Sequence, residues 1–193
     1  MQTTPTTFVK SVMLIIIAGA LTGCAINVTP RPGRVAFVGT TGEQRLPQKI
    51  VLRLNKDYTN HIYNWKHGDQ AINFHFGELL SAYARNVADA HFQSVQIIEG
   101  DEGIAASDAG LILTPKVLKI GATSPVMGWS KQEMTLEVEW SLTKAGHDTP
   151  IWVTTVEGNG KGGFASEALL ENTVANLFQE TPSKFKQLHT LKF

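Results

Sequence analysis

Gln132 to Thr143 alternates without a break. Met134, Leu136, Val138, Trp140 and Leu142 fall on one side, and Glu133, Thr135, Glu137, Glu139, Ser141 and Thr143 on the other. Side chains of an extended chain leave opposite faces with a period of two, whereas a helix repeats every 3.6 residues. The pattern fits a strand with one dry face and one wet face, an arrangement that antiparallel sheets allow. Lys144 to Pro150 contains Gly146 and reads as a hairpin turn, and Ile151 to Glu157 reads as the returning strand.

The chain around this hairpin divides between the same two periods. Lys49 to Asn55 alternates about Ile50, Leu52 and Leu54 and predicts a strand. Phe74 to Phe92 carries Phe76, Leu79, Leu80, Tyr83, Val87, Ala88 and His91 on one helical stripe, with Glu78, Ser81, Arg85 and Asp89 facing away and Asn73 in the N-cap position. Gln93 to Glu99 follows as a strand, and Gly100 to Ser107 as a loop. Ala109 to Ile120 is apolar on both faces, as a central strand is; Pro115 predicts a bulge or a strand end. Ser166 to Glu180 is a second amphipathic helix built on Leu169, Leu170, Thr173, Val174, Leu177 and Phe178. Ser166 is its N-cap, Glu167 lies in its first turn, and Pro182 ends or kinks it. The expected order is β-α-β-β-β-β-α: an α+β two-layer sandwich with a mostly antiparallel sheet and two helices on one face. Residues 49–193 form a single domain.

Val12 to Leu21 is a ten-residue apolar run after Lys10. It has the length of a signal-peptide core, short of the roughly 20 residues a membrane-spanning helix needs. It ends in Leu21-Thr22-Gly23-Cys24, and Cys24 is the chain's one cysteine. These residues resemble the bacterial lipobox, and residues 1–23 resemble a lipoprotein signal peptide; the other reading is an ordinary secretory signal. The resemblance implies a diacylglyceryl thioether on Cys24, cleavage before it, and acylation, as with palmitate, of the new amino terminus. More than one acyl chain is what stable anchoring requires. Residues 24–48 then read as the lipidated Cys and a tether rich in Pro and Gly, with a short edge strand or a loop at Val35 to Val38. Ala25 and Ile26 follow the lipidated position and neither is Asp, the residue associated with inner-membrane retention in enteric bacteria. The resemblance therefore implies the periplasmic face of the outer membrane.

Of 17 basic and 17 acidic side chains, residues 1–23 hold only Lys10, so the remainder carries a formal charge of −1. That balance argues against a nucleic-acid footprint. With Cys24 lipidated no disulfide is available, and stability rests on packing and backbone pairing.

The order of elements, with Phe76-Gly77-Glu78-Leu79-Leu80 in the helix and Asp108-Ala109-Gly110-Leu111-Ile112-Leu113 entering the central strand, is similar to small α+β outer-membrane lipoproteins. That group includes the lipopolysaccharide-assembly lipoproteins and the auxiliary lipoproteins of ABC-type transport systems. The resemblance implies a non-enzymatic accessory or binding role in assembly of the cell envelope or in transport. The partners would be the membrane, through the anchor, and an envelope protein or lipid. The alternative is a lipid-tethered periplasmic hydrolase.

No residues are assigned to catalysis, to a metal or to a cofactor. Gly158 to Gly163 lies between a strand and a helix but lacks the Gly-x4-Gly-Lys-[Ser/Thr] spacing of a phosphate loop; it reads as a flexible connector, with an anion site as the other reading. His61, His67, Asp69 and His75 match no zinc spacing, and His91 on the helix stripe reads as a core residue. There is no Gly-x-Ser-x-Gly. Glu133, Glu137 and Glu139 occupy a solvated strand face. Tyr58, Tyr63, Trp65, Met127 and Trp129 fall in expected loops, and exposed aromatic side chains mark binding surfaces. Tyr58, Tyr63 and Trp65 are accordingly the candidate partner-binding residues; packing beneath the loops is the alternative.

Overall fold

The computed structural model describes residues 25–37, 45–100, 110–123 and 131–191. Cys24 and the expected signal segment lie outside the described residues, as do Val38, most of the loop expected at 100–107, Met127 and Trp129.

The alternating stretch is a strand. β7 (Gln132–Lys144) buries Met134, Leu136, Val138, Trp140 and Leu142 and pairs antiparallel with β6 (Leu111–Thr123) on one side and β8 (Pro150–Gly162) on the other. β2 (Leu46–Leu54) runs parallel to both β6 and β5 (Phe92–Glu99), which gives a five-stranded sheet of order β5-β2-β6-β7-β8. The longer ladders are the antiparallel ones. β6 is central, as its two apolar faces require. The expected elements occur in the expected order, as an α+β fold.

Two helices pack on this sheet's dry face. α2 (Gly77–His91) buries the predicted stripe from Leu79 to His91 and Ala84 besides, and Phe76 just before it is buried as well. α3 (Glu167–Phe185) starts at Ser166, whose hydroxyl accepts from the Leu169 N–H at 3.3 Å. The layers meet at Tyr83. The Trp140 indole N–H donates to the Tyr83 hydroxyl at 3.1 Å, and that hydroxyl lies 2.8 Å from the Thr181 oxygen. The Thr181 hydroxyl is committed to the Leu177 carbonyl at 2.8 Å, so Tyr83 donates to Thr181. Sheet, α2 and α3 are thus joined by one directed chain of buried hydrogen bonds.

Several local expectations are corrected. Lys56 to Asn73, polar and aromatic without a clean period, reads from the sequence as a long surface loop, with a ragged strand within it as the other reading; it contains a one-turn helix, α1 (Lys56–Thr59), and a hairpin of β3 (Ile62–His67) and β4 (Gln70–His75). The hairpin has only two residues in its turn, with Gly68 at φ 58°. Asn73 therefore belongs to β4, opposite Asn64, and donates to the Asn27 side chain at 2.9 Å instead of capping α2. Phe76 is the N-cap and has no side-chain cap bond; its N–H donates to the His61 carbonyl at 2.9 Å. Gly77 is required there, because a Cβ would stand 1.9 Å from the Thr59 carbonyl oxygen.

The tether is docked. β1 (Ile26–Val28) pairs parallel with β4, making a three-stranded sheet of order β1-β4-β3, and Val28, Ile72 and Phe74 join the common core. The chain then crosses α3: the Arg34 guanidinium is 3.3 Å from the Glu167 carboxylate, and Phe37 meets Phe178 edge-on at 5.2 Å. Pro32–Arg34 is a turn of 3-10 helix and Val35 lies outside any strand.

β6 passes straight through Pro115, which sits opposite Trp140. Its pairing with β2 covers only Leu111–Leu113, so at position 115 a backbone donor is dispensable on that side. The bulge falls between Val117 and Lys119 and leaves Leu118 exposed. Pro182 does not end α3 either. The helix runs on to Phe185, whose ring is fully buried, 5.3 Å from Trp140 and 5.0 Å from Trp152. Burying a Phe offsets the hydrogen bond that proline removes.

Gly158 to Gly162 is no connector. It is the second half of β8, paired with Gln132–Leu136. Gly158, Gly160 and Gly162 alternate toward α3, and added Cβ atoms would lie 2.5 Å from the Thr173 carbonyl oxygen, 2.2 Å from the Thr173 hydroxyl and 2.7 Å from Leu169. The glycines let the helix axis approach the strand. Asn172 donates to the Lys161 carbonyl at 2.8 Å and Asn176 to the Asn159 carbonyl, so α3 also satisfies acceptors on the strand edge.

Candidate partner-binding surface

The three aromatic candidates separate. Asn55 caps α1, its side-chain oxygen accepting from the Tyr58 N–H at 2.9 Å, and this turns the Tyr58 ring inward. Tyr58 is 1% exposed and its hydroxyl donates to the Leu80 carbonyl at 3.2 Å. Burial raises its pKa well above the ordinary tyrosine value, with a further push from Tyr83. Tyr58 holds α1 against α2, so it belongs to the core packing weighed as the alternative. An open groove of about 640 Å3 beside it is lined by Asn55, Lys56, Asp57, His61, Ile62 and Lys116, among others.

Tyr63 and Trp65 stand two residues apart on one face of β3, both half-buried against the core. Tyr63 stacks on Phe74 at 6.3 Å. Trp65 stacks on His67 at 5.4 Å and meets Phe164 at 6.0 Å, while His67 and Phe164 are 5.2 Å apart. The structure thus assembles a cluster of Trp65, His67 and Phe164 from β3 and the β8–α3 turn. Phe164 remains 38% exposed. No periodicity drew attention to Phe164, because it lies in a turn; only the closing of β8 against β7 brings it to β3.

The histidines are dispersed. His75 is 3.4 Å from the Asn27 side-chain oxygen, His67 is in the aromatic cluster, and His91 is buried and stacked on Phe185 at 4.7 Å. Among the described residues no three His, Cys, Asp or Glu side chains converge as a metal site would require. Glu133 pairs with Lys161 at 2.5 Å and Glu137 with Lys119 at 3.5 Å, across strands of the wet face. Tyr83 is the other tyrosine with a raised pKa: burial raises it, and its hydrogen bonds with Thr181 and Trp140 oppose the shift. Both shifted groups are buried in the core.

No family model and no curated protein sequence matches the chain. Among solved structures, it is similar to a Xanthomonas campestris protein of the family DUF330. The TM-score is 0.55 at 13% identity, over 86% of this chain and 100% of that one. Looser likenesses, on which nothing rests, are to lipoprotein GNA1162 of Neisseria meningitidis (TM-score 0.39, 13% identity, 75% and 100% covered) and to PelC of Paraburkholderia phytofirmans, solved as a dodecamer (0.41, 15%, 70% and 86%). The first likeness establishes a shared α+β fold. No helix among the described residues is long and apolar enough to cross a membrane.

Proposed function

We propose that this protein is a lipid-anchored accessory or binding protein of the bacterial cell envelope, non-enzymatic, held by Cys24 at the periplasmic face of the outer membrane. The observation that carries the reading is Leu21-Thr22-Gly23-Cys24 closing a ten-residue apolar run. The docking of β1 supports it. A strand that begins at Ile26, two residues after Cys24, ties the domain closely to the anchor, where a loose tether would let it range. The small α+β fold is compatible with an accessory role. Tyr63 and Trp65 are the members of the candidate surface that a partner could reach, since Tyr58 is enclosed.

The test is the variant Cys24→Ala. The native protein should carry the mass of a diacylglyceryl group and acyl chain and partition into detergent. The variant should stay unlipidated, retain its signal segment and lose the normal processing step. An unchanged mature mass and unchanged partitioning would refute the anchor. Fractionation of the native protein with inner-membrane markers would refute the outer-membrane assignment, and cross-linking in intact envelopes would identify the partner.

A further inference from the structure

We propose that the end of the three-stranded sheet bearing Trp65, His67 and Phe164 is a lipid-facing surface, seated in the headgroup layer of the membrane that the Cys24 acyl chains enter. The inference rests on the anchor reading above and adds to it a face and a partner class.

Register places the surface. Ile26 of β1 is opposite Ile72 of β4, and Ile72 is opposite Trp65 of β3. β1 and β4 are parallel and β3 is antiparallel to them, so the chain enters β1 at the end where Gln70 opens β4 and His67 closes β3. Two residues of chain span at most about 7 Å, and β3 is two strand spacings, roughly 10 Å, from β1. Acyl chains on Cys24 would therefore bring this end of the domain, with the Gly68–Asp69 turn, to the bilayer surface and leave α1, which precedes the far end of β3, away from it.

Chemistry fits the place. Trp combines an apolar ring with a polar N–H and is enriched where a membrane meets water. Phe164 beside it is exposed although a core lies close by. The turn that presents it is held: Ala165 adopts φ 47°, the left-handed region that non-glycine residues rarely enter, and the Ala165 N–H donates to the buried Gln132 side chain at 3.1 Å. The nearest cation of β8, Lys161, is paired with Glu133 at 2.5 Å, and the hairpin carries one acidic residue, Asp69, for one lysine, Lys66. Contact is thus interfacial and apolar in character, and it needs no anionic lipid.

The experiment uses the full-length, processed protein in phosphatidylcholine vesicles, with and without bromine on the acyl chains near the headgroup. Bromine quenches an indole in contact with it. Wild type should show bromine-dependent quenching, Trp65→Phe should lose at least half of it, and Trp152→Phe should keep it. Phe164→Ser, which retains Trp65, should weaken it at least twofold with the melting temperature within a few degrees. Equal quenching in wild type and Trp65→Phe, in protein whose mass shows the lipid, overturns the surface and leaves the anchor standing. A mass without lipid overturns the anchor and this inference with it. A blue shift of Trp65 that grows with protein concentration and ignores bromine assigns the surface to a second copy of the chain and also overturns it.

Discussion

Tyr83 is the residue at which α2, α3 and the sheet meet, and it makes the stability of the fold testable one atom at a time. Tyr83→Phe leaves the Trp140 N–H buried without an acceptor, which should cost about 1–3 kcal/mol in urea unfolding. Trp140→Ala removes the ring packed between Tyr83 and Phe185 and should cost roughly 3–5 kcal/mol. Glu137→Ala, on the wet face and bridged only to an exposed lysine, should stay within about 0.5 kcal/mol. Equal losses for these last two would mean the register of β7 is slipped by one residue, since a slip exchanges the faces. The tyrosines also set an alkaline limit. Tyr58 and Tyr83 hold their protons in the folded state to a pH above the ordinary value of 10.0, whereas the unfolded chain releases them near it. The unfolded state then binds fewer protons, so the stability these two tyrosines contribute should be fully present below about pH 10 and be lost as pH rises further. In Tyr58→Phe and Tyr83→Phe, denaturant titrations between pH 9 and 11.5 should give a shallower fall; an unchanged slope would count against their buried, neutral state.

At the scale of elements, the contact of β8 with α3 depends on what is missing from the strand. Gly160→Ala forces a methyl group to 2.2 Å from the Thr173 hydroxyl and 2.5 Å from its backbone N, so helix and strand must separate. We expect a loss of about 2 kcal/mol or more, in the range of core overpacking. Gly163→Ala has its nearest neighbour, the Ser166 side chain, at 3.7 Å and should be close to neutral. A flexible connector would tolerate both changes alike, so thermal melts of the pair distinguish strand from loop. Replacing Asn172 and Asn176 together by Ala should cost roughly 1 kcal/mol per bond and, by baring acceptors of an edge strand, should speed aggregation measured by light scattering.

At the scale of the molecule, the question is whether the segment after Cys24 moves with the domain or swings from it. β1 pairs with β4, Arg34 meets Glu167 and Phe37 meets Phe178, so the segment after Cys24 is part of the folded body. Val28→Asp places a charge in the core position that fastens β1 and should release this segment while β2 to α3 stay folded. Tryptic cleavage after Arg34 should then be at least tenfold faster than in the wild type. Equal rates would mean that the segment is loose in the native protein, and the orientation argued from β1 would fall with it.

Periodicity was sufficient for β2, α2, β7 and α3, because each repeats its apolar residues with its own geometry, while β5 and β6 were legible as short runs rich in Val, Ile and Leu. The Ser166 cap and the placing of Trp140 on the dry face were legible for the same local reason. Other features answer to partners distant in the chain. The β3–β4 hairpin hid because Tyr63 and Trp65 alternate with only Ile62, Asn64 and Lys66 beside them, and a polar, half-buried strand has almost no period-two contrast. Gly158 to Gly162 resembled a loop because glycine suits turns, and its alternation gained meaning only when α3 arrived to fill the space. β1 is three residues long, too short for any period to register, and pairs with a strand more than forty residues away. The resemblance of Leu21-Thr22-Gly23-Cys24 to a lipobox is read from the chain itself, since such a motif is a run of adjacent residues. That Trp65 meets Phe164 was decided by tertiary structure, which carries the β8–α3 turn across the fold to β3.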